Sequence, residues 1–269
     1  MAFWTSSLQT LTSTFRHGRL WLLQFFGNAL LLLAFVGFLH IPDAHVWQFI
    51  FSVIVMVLLV IAVPVLHGGT LNYFLETEIE KKSAIKPPFR NALRHVLPLI
   101  IWMVVFYFLR ALLDRLDDYQ YSFPGYLRSE FPAWLRRIIS EPAIRNLYIC
   151  FVGFLRWVLL PGLLLPLALL CADKNFRGFL QLRAWIRMLC NLGYWIVLII
   201  AALIGVYCTG KILDWTLNPR TATLGSEEIW LGFRLIVAYL LMIFSWLWVC
   251  AMLARARLKA DSAAQKSAA

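Results

Sequence analysis

Six apolar stretches, at roughly residues 20–39, 46–66, 96–113, 147–171, 189–212 and 229–253, dominate this chain. A bilayer core of about 30 Å needs about 20 helical residues, and each stretch supplies roughly that length. A membrane-crossing strand would be half as long and would alternate in polarity. These runs are continuous in Leu, Ala and Phe. A helix also satisfies every backbone donor within its own segment, which a hydrocarbon solvent demands. The expected fold is therefore all-α integral membrane, with six transmembrane helices. Hydrophobic residues make up 61% of the chain and charged residues 14%, which excludes an ordinary water-soluble domain. The first stretch is longer than a signal-peptide core. It ends in His40-Ile41-Pro42-Asp43 rather than a small-residue cleavage pattern, so it reads as a retained span.

The net charge of +11 is distributed with a pattern. Arg16 and Arg19 precede the first span, and Lys81, Lys82, Lys86, Arg90 and Arg94 separate the second from the third. Lys174, Arg177, Arg183 and Arg187 separate the fourth from the fifth, and Arg255, Arg257, Lys259 and Lys266 follow the sixth. The positive-inside rule then places both termini in the cytoplasm. The opposite side also carries basic residues, most of them in one long loop where the bias counts less. Bases that track membrane boundaries suit anionic lipid headgroups and not nucleic acid. The expected setting is a bacterial inner membrane or an equivalent plasma membrane.

A repeat organises the spans. "FRNALRHVLPLIIWMV" from Phe89 aligns without a gap on "LRAWIRMLCNLGYWIV" from Leu182, pairing Arg90 with Arg183, Arg94 with Arg187 and Trp102 with Trp195. Two arginines four apart share one helix face. Phe89, Leu93 and Leu97 form an apolar stripe in one copy, and Leu182, Ile186 and Leu189 in the other. Each copy predicts a basic amphipathic helix in the interface, followed by a span. Trp4, Leu8, Leu11 and Phe15 suggest a third copy at the start of the chain. The chain reads as a single six-span domain, 1–257, made of three two-span units at about 1–75, 80–172 and 175–257. Residues 258–269 form a polar tail expected to be disordered.

Between the third and fourth spans, residues 113–146 form the longest loop. Within it "PAWLRRIIS" predicts a short surface helix, with Pro132 in the first turn and Ser129 as a cap. "PVLHGG", ending at Gly69, predicts a kink or the end of the second span. The "LRAW" segment at Leu182–Trp185, together with the six-span architecture, resembles uncharacterised bacterial membrane domains related to the one attached to some glycerophosphodiester phosphodiesterases. The resemblance implies the membrane architecture alone. The phosphodiesterase chemistry belongs to a separate soluble domain with no counterpart in this sequence.

Candidate chemistry is sparse. Arg156 stands about nine residues, or ~13 Å, into the fourth apolar stretch, where an unpaired arginine is costly. Arg110 and Arg234 sit in the corresponding halves of the third and sixth. Together the three arginines are expected to line an anion or lipid-headgroup site, with Asp114, Asp214, Glu227 and Glu228 as ion-pair partners. The alternative is that these arginines snorkel or pair for structural reasons. Arg90, Arg94, Arg183 and Arg187 are the expected cytoplasmic headgroup contacts.

"DRLDD" at Asp114–Asp118 has a magnesium-diphosphate spacing but lacks a second acidic cluster, so it reads as a solvated helix end. His40, Asp43 and His45 read as a polar turn; no metal and no cofactor is expected. Gln24 and Asn28 are expected to hydrogen-bond a neighbouring helix. The five cysteines (Cys150, Cys171, Cys190, Cys208 and Cys250) read as small apolar residues. No catalytic motif is present.

The sequence therefore points to a non-enzymatic membrane component that binds lipids, with a protein partner or a second copy of itself. A transporter or lipid-handling protein is the alternative, and an intramembrane lipid enzyme the third reading.

Overall fold

The computed structural model describes residues 10–12, 14–42, 44–80, 84–216 and 224–266. Trp4, Leu8, Asp43, Lys81 and Lys82 lie outside them. The described residues are almost wholly helical and contain six helical stretches long and apolar enough to cross a membrane. A short α1 is described at positions 10–12 and 14–16. Span one is α2 (Gly18–Leu39) and span two is α3 (Val46–Glu80). A short α4 (Lys86–Arg94) leads into span three, α5 (Val96–Asp114), which passes into a 3-10 turn at Arg115–Tyr119.

The long loop is itself helical, as α6 (Ser122–Glu130) and α7 (Ala133–Ile138). Span four comprises α8 (Glu141–Phe154), a π-helical segment (Leu155–Leu159) and α9 (Leu160–Lys174). After a 3-10 turn (Asn175–Leu180) and α10 (Leu182–Leu189), span five is built in the same way. It runs through α11 (Leu192–Ala202), a π segment (Leu203–Cys208) and α12 (Thr209–Leu213). Span six is α13 (Leu224–Lys266).

Spans four and six make the centre. Half of each one's most apolar window is buried within the protein, against 6% for span one. Apolar burial drives little association in lipid, so close packing of small residues must do more of the work. Ala168–Ala172 on α9 and Val249–Ala254 on α13 supply such surfaces and are fully or nearly fully buried. Buried polar links add direction. Gln24, wholly buried, donates from Nε2 to the Thr70 hydroxyl and joins span one to span two, while Asn28 turns back onto Gln24 itself. Pro166 brings no N–H to the helical ladder, which leaves the Gly162 carbonyl open; the Tyr194 hydroxyl donates to it at 3.1 Å.

Three expectations need correction. Span two does not end at Gly68-Gly69 but continues as helix to Glu80. The two glycines serve packing: a Cβ on Gly68 would meet Leu99 Cδ1 at 2.6 Å, and one on Gly69 would meet the Phe89 ring at 2.5 Å. Tertiary contact outweighs their poor helix propensity. The tail is not disordered from residue 258, because α13 reaches Lys266. Ala256 and Ala260 are buried there, Arg257 pairs with Asp261 at 3.1 Å, and Arg187 of α10 donates to the Ala260 carbonyl. Ser129 does not cap α7; its hydroxyl donates to the Tyr126 carbonyl, and Pro132 itself occupies the cap position.

The aligned segments around α4 and α10 bury a different face from the expected stripe. Ala92 and Met188 are buried, whereas Leu93, Leu97, Leu182 and Ile186 are exposed. The aligned tryptophans also diverge, since Trp102 donates to the Leu164 carbonyl and Trp195 to that of Leu189.

Candidate functional site

Arg156 occupies the second position of the first π segment. Pro161 cannot donate to the ladder, and the Leu160 N–H reaches back five residues to the Leu155 carbonyl. On this wide turn the guanidinium faces the 3-10 turn after span three. Its Nε lies 2.8 Å from Asp114 Oδ1 and its Nη2 lies 2.5 Å from Asp117 Oδ2. Arg110 reaches the same Asp114 oxygen at 3.3 Å, and its guanidinium carbon stacks 4.2 Å from the centre of the Trp157 ring. Two arginines and two aspartates thus form one cluster whose formal charges cancel. Its donors already face carboxylates, so an anion entering here would meet two negative groups.

Arg234 makes its contact elsewhere. Its Nη1 donates to the Leu213 carbonyl at the C-terminal end of α12, a favourable place for a cation. Asp214 is exposed beside that end. Glu227 is exposed in the first turn of α13, where the helix dipole favours acids, and Glu228 is exposed just after it. The structure therefore brings two of the three arginines together, with Asp114 and with Asp117, which had read as part of a solvated helix end. The signal was available, because acids three apart share a helix face. Arg90, Arg94, Arg183 and Arg187 are exposed on α4 and α10. Among the described residues no group of His, Cys, Asp and Glu is arranged to hold a metal. His40 uses Nδ1 on the Val36 carbonyl of its own helix.

An apolar cavity among the spans had no herald in the sequence. It has a volume of about 440 Å³ and lies among spans two to six, walled by apolar side chains such as Val63, Leu99, Phe106, Leu165, Leu198 and Val249. Small residues open it: Gly68, Ala168, Ala201, Ala202 and Gly205 come from three different spans. Such a constellation cannot be read before the helices are placed. Along span two the lining runs from Val63 to Leu71, or about 12 Å at 1.5 Å per residue. Trp157 and Met242 belong to the lining yet are 38% and 54% exposed. Both lie within apolar spans, so the cavity reaches the lipid-facing side of the bundle. Trp157 also carries the stacked Arg110, which joins the charged cluster to one end of the cavity.

Comparison with protein-family models, with curated proteins and with solved structures gives no match. The site must be interpreted from its own geometry.

That geometry is a lipid-accessible apolar chamber with few polar features. Both π segments adjoin it, through Trp157 on span four and Gly205 and Val206 on span five. π turns interrupt the regular ladder and recur at functional sites. His67, Ser245 and Trp246 are the lining residues that carry a ring nitrogen or hydroxyl deep in the bundle, apart from Trp102 and Trp157 nearer its other faces. His67 and Trp246 meet edge to face, with ring centres 5.1 Å apart.

Proposed function

We propose that this chain is a multi-pass membrane protein that binds a lipid molecule in the cavity among spans two to six and holds it without chemical turnover. The supporting observation is the cavity itself: a volume of about 440 Å³, an almost wholly apolar wall, and a rim at Trp157 and Met242 within lipid-facing spans. Apolar chambers with few polar groups are the usual form of a small-ligand site. Binding is favoured over catalysis because His67 and Ser245 are not hydrogen-bonded to each other or to an acid, so no nucleophile–base–orienter chain is assembled. In this reading the three basic segments lie in the cytoplasmic leaflet with both termini. The exposed Arg90, Arg94, Arg183 and Arg187 then meet anionic headgroups. The Arg110–Asp114–Arg156–Asp117 cluster serves as a neutral brace between spans three and four.

A second reading, movement of the bound lipid between leaflets, draws on the two π segments beside the cavity, where the backbone ladder is already irregular. Native mass spectrometry of the purified full chain tests the first reading. Wild type should retain one lipid that Ala202→Phe, which fills the cavity, releases while melting at a similar temperature. Equal retention by both proteins, or no retained lipid in wild type, would remove the cavity from the function. Faster exchange of a fluorescent lipid between leaflets of proteoliposomes, lost in the same variant, would favour the second reading.

A further inference from the structure

His67 Nδ1, Ser245 Oγ and Trp246 Nε1 are buried and have no hydrogen-bond partner. All three residues line the one apolar cavity, His67 from span two and the other two from span six. An unpaired polar atom in a hydrocarbon surrounding is costly, and membrane proteins satisfy nearly all of theirs internally. A helical serine can bond the carbonyl four residues back, but Ser245 does not do so. Gly205 stands opposite it, and even a Cβ there would approach the serine oxygen to 2.9 Å. The glycine therefore leaves the hydroxyl free of a neighbouring side chain.

Building on the lipid-binding reading above, we infer that the cavity selects a neutral lipid that carries a carbonyl or hydroxyl oxygen and seats that oxygen against His67, Ser245 and Trp246. The donor inventory sets the choice. The Trp246 indole can only donate, the Ser245 hydroxyl rotates freely and can donate, and a neutral imidazole donates or accepts according to its tautomer. A lipid oxygen can accept from two of them through its two lone pairs, and a lipid hydroxyl can also donate to the imidazole, whereas a bare hydrocarbon leaves all three orphaned. The lining holds no Arg, Lys, Asp or Glu, so a phosphate or ammonium headgroup would arrive without a counter-charge. A diacylglycerol, a prenyl quinone and a long-chain alcohol all present the required chemistry. The mass of a co-purified ligand separates them.

The test uses full-length protein in lipid nanodiscs, with hexadecanol, hexadecane and dihexadecanoyl phosphatidate as competing probes read by native mass spectrometry. Wild type should bind hexadecanol about tenfold more tightly than hexadecane, the size expected for one or two net hydrogen bonds. Ser245→Ala and Trp246→Phe should each reduce that preference several-fold while hexadecane occupancy stays the same. Ala202→Phe should lower both. Equal binding of alcohol and hydrocarbon, unchanged in the variants, overturns the oxygen-selective site and leaves lipid binding standing. Preferential binding of the phosphatidate overturns the neutral headgroup. Failure of every probe to bind overturns this inference and the lipid-binding function together. His67→Phe, which keeps a ring against Trp246, gives an independent arm should a serine or tryptophan variant melt early.

Discussion

The Arg156 guanidinium meets the Asp114 carboxylate at 2.8 Å, with Asp117 on its other side at 2.5 Å. The two partners are unequally placed, for the arginine side chain is 15% exposed and the acids about half exposed. Deleting the acids strands a charge that water barely reaches, while deleting the arginine leaves carboxylates that water can solvate. The double variant Asp114→Asn/Asp117→Asn is therefore expected to lose about 1–3 kcal/mol of stability, below the figure for a fully buried broken pair. Arg156→Met should stay within about 1 kcal/mol of wild type, since an apolar replacement removes the desolvation cost as well. Thermal unfolding in one detergent compares them. Equal losses would mean that the arginine does not depend on these acids.

The glycines should divide by what faces them. A Cβ at Gly178 would lie 2.4 Å from the Leu170 carbonyl oxygen, which belongs to the backbone and cannot step aside. At Gly69 the obstacle is the Phe89 ring, which can tilt, and at Gly37 nothing lies within 4 Å. Gly178→Ala is expected to cost about 2 kcal/mol or more and Gly69→Ala about 1–2 kcal/mol, as overpacked sites do. Gly37→Ala should be neutral or stabilise by up to about 1 kcal/mol through helix propensity. Melting temperatures in that order would support the packing account, and a flat series would oppose it.

What the sequence disclosed and what it hid follow from the range of the forces involved. The six long apolar helices were legible because their signal lies within each segment, in the length and continuity of runs such as Leu20–Leu39. The helix through Gly68-Gly69 was not, because its cause is Phe89 and Leu99 approaching from other helices. Arg156 stood out from the start as a costly cation, and Asp114 was named as a partner. Asp117, three residues on, shares the face of Asp114, but the turns that carry both acids to Arg156 have no mark in the sequence. The cavity lay beyond reach altogether. Its walls come from five spans, and residues such as Ala201 and Ser245 carry no local mark of what they face.

His17 makes stability depend on pH. It precedes span one, lies edge-on to Tyr73 and Phe74, and shares a 2.9 Å hydrogen bond with the Tyr73 hydroxyl. Burial lowers its pKa from 6.5, with the Glu78 charge opposing the shift. On acidification the unfolded chain therefore takes up this proton first. The contribution is present in full above the unfolded pKa and is lost as pH falls through the lower folded value. Wild type should lose more of its melting temperature between about pH 7.5 and about pH 5.5 than His17→Gln does. A parallel loss in both proteins would assign the acid sensitivity to other groups.

Gln24 and Thr70 offer the cleanest separation of a hydrogen bond from the polar groups that make it. The Thr70 hydroxyl donates to the Leu66 carbonyl at 2.8 Å and accepts from Gln24 Nε2, whose other acceptor, the Leu66 carbonyl, is 3.4 Å away. In Gln24→Leu the threonine keeps its own bond, and the Asn28 amide keeps the Gln24 backbone carbonyl at 2.8 Å. The expected loss is therefore under about 1 kcal/mol. In Thr70→Val the fully buried glutamine still accepts from Asn28 at Oε1, but its Nε2 keeps only the long contact, so a larger loss of about 1–2 kcal/mol is expected. The double variant Gln24→Leu/Thr70→Val should recover part of that loss, because it removes the orphaned amide along with the hydroxyl. A double-mutant cycle on apparent unfolding free energy reads the coupling directly. If the two losses simply add, span one is held to span two by apolar contact alone, and the buried amide contributes nothing to the pairing.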